Sequence, residues 1–218
     1  MRAADGPTRS GSVAGPMGER IAVLVSGSGT NLQALLDDPV CGPRIALVLS
    51  DRHGVEALDR AETRGVEWSV LEPKDFDGRE AFDRAVADVL RDRGIDVVVT
   101  AGYLRLLGPA VLEAYEGRWL NVHPSLLPAF PGMHGVADAL AYRVKVTGVT
   151  VFLVDAGMDT GPVVLQEAIE VRDDDDWDSL EARVHEVEHR LLPAATAALV
   201  EGRLRVDGRT VTIEGGTG

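Results

Sequence analysis

The chain has 218 residues, 45% of them hydrophobic, a formal net charge of −13 and a single cysteine, Cys41. That length and apolar fraction suffice for one substantial core. The acidic balance argues against a nucleic-acid partner, which would need a basic face, and one cysteine excludes an internal disulfide and fits a reducing cytoplasm.

Residues 1–18 are rich in Gly, Ser, Ala and Pro and lack the apolar segment of a secretion signal. They are expected to form a disordered extension, with Met17 standing just ahead of the first strand as an alternative start. Arg20–Ser26 is a continuous apolar run of the kind found in parallel strands buried on both faces. A Gly-rich turn follows, and then a helix from about Thr30 or Asn31. Ile45–Ser50 reads as a second buried strand. Val55–Arg64 has helical spacing and stops at Gly65, a suitable C′ glycine. Val66–Leu71 reads as a third strand. Arg79–Arg93 is an amphipathic helix on Phe82, Val86, Val89 and Leu90, ended by Gly94. Ile95–Ala101 reads as a fourth strand, of strand rather than membrane-spanning length, so no membrane partner is expected. Pro109 opens another helix at a favoured N1 place, and Trp119–His123 is a fifth strand.

The later part reads differently. Val149–Val154 and Pro162–Val171 are strands joined by a Gly-rich loop. Asp178–Val200 is a long helix, and Leu204–Val206 with Thr210–Ile213 make a hairpin around Asp207-Gly208. The acidic run Asp173-Asp174-Asp175-Asp176 reads as a solvated turn before that helix, since it lacks the spacing of a calcium loop. The expected fold is therefore α/β, a doubly wound, Rossmann-like, mostly parallel sheet with a mixed C-terminal portion. It forms one domain over residues 19–213, followed by a disordered tail over 214–218.

Two segments carry chemistry. Ser26-Gly27-Ser28-Gly29-Thr30-Asn31 joins a buried strand to a helix, and backbone N–H groups at such a turn make an anion site. Leu32 stands where a dinucleotide fingerprint needs its third glycine, and no Gly-Lys-Ser/Thr follows, so a single phosphate suits the loop better than NAD or a P-loop ligand. Asp51 does lie near the place of a ribose-binding acid. The second segment is Asn121-Val122-His123-Pro124-Ser125-Leu126-Leu127-Pro128. Asn121 and His123 share a strand face, which places an amide donor beside an imidazole where the strand runs out. Asp159, in the loop Asp155-Ala156-Gly157-Met158-Asp159-Thr160-Gly161-Pro162, supplies a carboxylate. Together these make an acyl-transfer set: a donor for an oxyanion, an imidazole held protonated by the carboxylate, and no serine or cysteine placed as a nucleophile. Direct transfer to a substrate amine follows.

The block 121–128, Phe130-Pro131-Gly132 and Asp159-Thr160-Gly161-Pro162 resemble the signature of the folate-dependent formyltransferases, which use 10-formyltetrahydrofolate. Ser-Gly-Ser-Gly-Thr-Asn-Leu-Gln at 26–33 and Glu188-His189 resemble the branch of that family that formylates glycinamide ribonucleotide in purine biosynthesis. The resemblance covers about residues 20–213. It implies that Asn121, His123 and Asp159 are catalytic, and that Gly29, Thr30 and Asn31 hold the substrate phosphate while Glu188 contacts the ribonucleotide. It also implies that Leu104, Arg105, Leu106, Leu107 and Asp155, Ala156, Gly157, Met158 line the pterin pocket, that Arg79 lies near the folate tail, and that no metal is required. The expected partners are the two small molecules, glycinamide ribonucleotide and folate. Whether the protein is a monomer or a homodimer is left open.

The chain departs from the family at three places. Phe152 stands where a histidine is common, Ala129 where a basic residue is frequent, and His185 where a glutamine can contact substrate. Relatives that formylate methionyl-tRNA would carry a basic C-terminal domain, and hydrolases of the formyl-folate an N-terminal regulatory domain. A non-catalytic folate- or nucleotide-binding module is a further alternative. An NAD oxidoreductase fits least.

Overall fold

The computed structural model describes residues 20–215. The expected extension over residues 1–18, and the part of the expected tail beyond Gly215, lie outside the described residues. The centre is a seven-stranded sheet in the order β3-β2-β1-β4-β5-β6-β7. Its strands are β1 (Ile21–Val25), β2 (Ile45–Ser50), β3 (Trp68–Val70), β4 (Val97–Thr100), β5 (Trp119–His123), β6 (Val146–Leu153) and β7 (Val163–Glu170). β1 to β5 run parallel, and β6 and β7 are added antiparallel. This is the mixed sheet read from the sequence.

Strand periodicity sorts the core into two layers. Ile21, Val23 and Val25 of β1 face α1 (Thr30–Asp37), α2 (Glu56–Thr63) and α6 (Trp177–Val200), while Ala22 and Leu24 face α3 (Arg79–Asp92) and α4 (Pro109–Ala114). All five β1 side chains are fully buried. Each large apolar one contributes about 1.5–3 kcal/mol on leaving water, which explains why the run shows no polar alternation.

Both predicted C′ glycines close their helices. Gly65 and Gly94 take positive φ. Val66 N–H donates to Ala61 O at 2.9 Å and Ile95 N–H to Leu90 O at 3.0 Å, the six-to-one bonds of a Schellman motif. That bond and Asp96 N–H to Arg20 O take the amides of residues 95 and 96, so β4 begins at Val97 rather than Ile95. β3 is shorter than expected, an edge strand paired over three residues only. α5 (Gly135–Tyr142) was not legible beforehand, because the Pro- and Gly-rich stretch ahead of it reads as loop. The terminal hairpin, β8 (Leu204–Asp207) and β9 (Thr210–Ile213), pairs Asp207 with Thr210, so it turns on Gly208-Arg209, one residue later than predicted. The aspartate run is more than a solvated turn: Asp176 caps α6 by accepting from Ser179 N–H at 2.9 Å, and Ser179 Oγ accepts from Asp176 N–H in return.

Candidate active site

Strand order reverses between β1 and β4, since the chain winds outward to β2 and β3 on one side and to β5 on the other. In open α/β sheets the crevice at the carboxyl ends of strands on either side of such a point takes the ligand. Here the loops after β1, β4 and β5 converge there with the β6–β7 loop and one face of α6, around a cavity of about 940 Å³. Every residue that the family resemblance assigns to catalysis or binding lines this cavity; Asp51 does not.

At the end of β5, His123 is 4% exposed. Its Nε2 lies 2.7 Å from the Phe130 carbonyl oxygen. A carbonyl only accepts, so Nε2 carries a hydrogen and Nδ1 is the nitrogen left to gain or lose a proton. Nδ1 faces Asp159 Oδ2 at 3.7 Å, an ion-pair rather than a hydrogen-bond distance. Asp159 Oδ2 also accepts from Gly132 N–H at 2.7 Å. The Phe130-Pro131-Gly132 segment therefore holds both partners, the imidazole through a carbonyl and the carboxylate through an amide. Asp159 has φ of 54°, a left-handed conformation that persists only where its surroundings fix it. Thr160 Oγ1 to Asp155 Oδ1 at 2.7 Å and Arg209 Nη1 to Thr160 O at 2.7 Å supply that constraint.

Asn121 pairs with Thr100 on β4 and with Phe152 on β6. Its Oδ1 accepts from Thr100 Oγ1 at 2.7 Å. Phe152, 2% exposed, is the residue paired with Asn121 across β5 and β6, at the position where the family commonly has a histidine. Ala129 contributes only its backbone, its carbonyl accepting from Ser125 Oγ at 2.5 Å.

Toward α1, Gly29 is the N-cap residue with φ of 73°. A Cβ there would lie 2.6 Å from Ala57 Cβ and 2.8 Å from Ala57 Cα. Gly29→Ala is expected to lower stability by about 2 kcal/mol, from left-handed strain and the clash with α2. Gly27→Ala, with nothing within 4 Å of its Cβ, should stay within about 0.5 kcal/mol. Urea denaturation of the two variants checks this, and equal losses would contradict the packing account.

The Asn31 side chain turns inward, donating from Nδ2 to Glu188 Oε2 at 2.8 Å, so the loop offers a ligand its backbone N–H groups while Asn31 orients Glu188. His185 Nε2 lies 4.0 Å from the same carboxylate oxygen and stacks on His189. Burial pushes the Glu188 carboxyl up, against the Asn31 hydrogen bond and the His185 charge. The folded state thus holds the Glu188 proton more tightly than the unfolded chain does. Its contribution favours folding below the unfolded value of about 4.3 and becomes a penalty as pH rises through and beyond it. Glu188→Gln is expected to be more stable than the parent at pH 8, with the gain gone at pH 4. Thermal melts at both pH values test this; a variant less stable at pH 8 would refute it.

Opposite, the 103–108 loop is tied down by polar bonds. Leu104 N–H donates to Ser26 Oγ at 3.0 Å, Arg105 Nε to Asp51 Oδ2 at 2.7 Å, and Arg79 Nη2 to Leu106 O at 3.1 Å. Leu104 and Leu106 are more than half exposed, whereas Leu107 is core, so only the first two present free apolar surface at the cavity rim. Asp51, the residue near the place of a ribose-binding acid, has no exposed side chain and is already bonded by Arg52 and Arg105. Burial alone would raise its carboxyl, but hydrogen bonds from Arg52, Ser26 and Arg105 outweigh it and hold the group below the usual range. Thr100, Trp119 and Trp177 also line the cavity and escaped the sequence reading. For Thr100 a signal existed, its place at the carboxyl end of a central strand. Among the described residues, no group of three or more His, Cys, Asp or Glu side chains is arranged to hold a metal ion, and no helix is long and apolar enough to cross a membrane.

The formyl transferase family matches residues 19–196, and the chain belongs to that family. Within it, the chain is 47% identical over 196 residues to the phosphoribosylglycinamide formyltransferase of Mycobacterium tuberculosis, covering 89% of this chain and 91% of that protein. To the enzyme of the same name from Bacillus subtilis it is 38% identical over 185 residues, with 84% and 95% covered. The crystal structure of glycinamide ribonucleotide transformylase 1 from Symbiobacterium toebii superposes with a TM-score of 0.86 at 47% identity, over 89% of this chain and 93% of that one.

Proposed function

We propose that the protein transfers the formyl group of 10-formyltetrahydrofolate to the amine of glycinamide ribonucleotide, giving formylglycinamide ribonucleotide and tetrahydrofolate. The observation that carries this reading is the meeting of Asn121, His123 and Asp159 between two unlike walls of one cavity. One wall holds the α1 N-terminus with Glu188, suited to a phosphorylated ribose; the other holds Leu104 and Leu106, suited to a flat heterocycle. Arg79, nearly two-thirds exposed at the rim, suits a carboxylate on the folate tail, and the Asp155–Asp159 loop closes the pterin side. The amine attacks the formyl carbon and forms the new C–N bond. The carbonyl oxygen becomes an oxyanion that accepts hydrogen bonds from Asn121 Nδ2 and from a protonated His123 Nδ1. The ammonium formed by attack loses a proton, Asp159 assisting. Folate N10 gains a proton as its bond to the formyl carbon breaks. Asp159 supports the imidazolium charge throughout. The buried Cys41 thiol suits a cytoplasmic setting.

Incubation with both substrates tests the reading. Release of tetrahydrofolate is expected only when glycinamide ribonucleotide is present. Release without any amine would instead make the protein a hydrolase of the formyl-folate.

A further inference from the structure

We propose that Thr100 is a positioning residue that selects which end of the Asn121 amide meets the oxyanion, with Trp119 fixing the direction of the Thr100 hydroxyl. The inference rests on the reading of Asn121 as an oxyanion donor. The two ends of an asparagine amide are nearly the same size, so strand geometry alone does not decide between them. With Nδ2 toward the formyl oxygen the amide stabilises developing negative charge; with Oδ1 there it repels it.

Thr100 breaks this degeneracy. Its hydroxyl oxygen lies 3.3 Å from Trp119 Nε1, and indole N–H only donates, so Oγ1 accepts there. Oγ1 lies 2.7 Å from Asn121 Oδ1, the usual length for O–H···O and short for N–H···O. The Leu120 carbonyl is the more distant acceptor at 3.2 Å. The hydroxyl hydrogen therefore goes to Oδ1, and Nδ2 is left for the cavity. Thr100 and Trp119 are 5% and 3% exposed, and the bond between them is buried, so water does not compete for the contact that sets the hydroxyl. On the opposite side of Asn121, the paired residue is Phe152, whose side chain has no polar atom. The Trp119–Thr100–Asn121 chain is thus the one side-chain hydrogen-bonding route to this amide among the described residues.

A double-mutant cycle tests this. Thr100→Val keeps the branched shape and removes the hydroxyl; kcat is expected to fall about tenfold with KM little changed, and Thr100→Ser to restore it. On an Asn121→Ala background the same Thr100→Val change should have no further effect, because the hydroxyl acts only through the amide. Should the unpaired Trp119 N–H impair folding of Thr100→Val, Thr100→Val/Trp119→Phe removes donor and acceptor together and the same loss of kcat is expected. Activity within twofold of the parent in the Thr100→Val enzyme, or an equal loss with and without Asn121, overturns the inference while leaving the oxyanion reading intact. Near-normal activity of Asn121→Ala alone overturns that reading and the inference with it.

Discussion

Replacing Asp159 by asparagine is expected to lower kcat by about 10²–10⁴-fold while folate affinity changes little. The substitution is a clean probe for a structural reason. Asp159 sits at φ of 54°, and asparagine is among the residues that tolerate the left-handed region best. Its side-chain oxygen can also still accept from Gly132 N–H, which now binds Asp159 Oδ2. What disappears is the negative charge 3.7 Å from His123 Nδ1. With Nε2 committed to the Phe130 carbonyl, Nδ1 is the position where the proton must be held, and a neutral amide there no longer favours it. Steady-state kinetics with a separate folate titration decide the matter. A kcat within threefold of the parent would show that the carboxylate only shapes the loop.

The second large effect concerns Asn121. Asn121→Ala is expected to cost about 10²–10³-fold in kcat with KM nearly constant, because an oxyanion exists only in the transition state and the intermediate. Asn121→Asp should be worse, since a carboxylate offers no donor and places like charge against the oxyanion. Both variants keep the backbone of β5, where Asn121 pairs with Thr100 and Phe152. If KM rose while kcat held, the amide would be a ground-state contact, and oxyanion stabilisation would have to come from His123 alone.

Much of this site was readable in the sequence because its parts are local. The glycine turn after an apolar strand, the amide and histidine two residues apart, and the C′ glycines at 65 and 94 each announce themselves within a few residues. The parts that stayed hidden depend on register between strands distant in sequence. Thr100 matters because parallel pairing sets it beside Asn121. Asn31 reads as a loop residue until α6 brings Glu188 within 2.8 Å of it. Asp51 stands near the place of a ribose-binding acid until Arg105 arrives from the far side of the switch point. Phe152 was visible as a departure, but not that it faces Asn121 across β5 and β6. Phe130-Pro131-Gly132 was visible as part of the family signature, but not that its carbonyl and amide hold His123 and Asp159.

Direct transfer from folate to amine at Asn121, His123 and Asp159 is most directly tested by rapid quenching of a single turnover with formyl-labelled 10-formyltetrahydrofolate and glycinamide ribonucleotide. The label is expected to pass from folate to ribonucleotide with none bound to protein at any time, and to stay on the folate when the ribonucleotide is omitted. Protein-bound formyl label that forms and decays at the turnover rate would contradict the account.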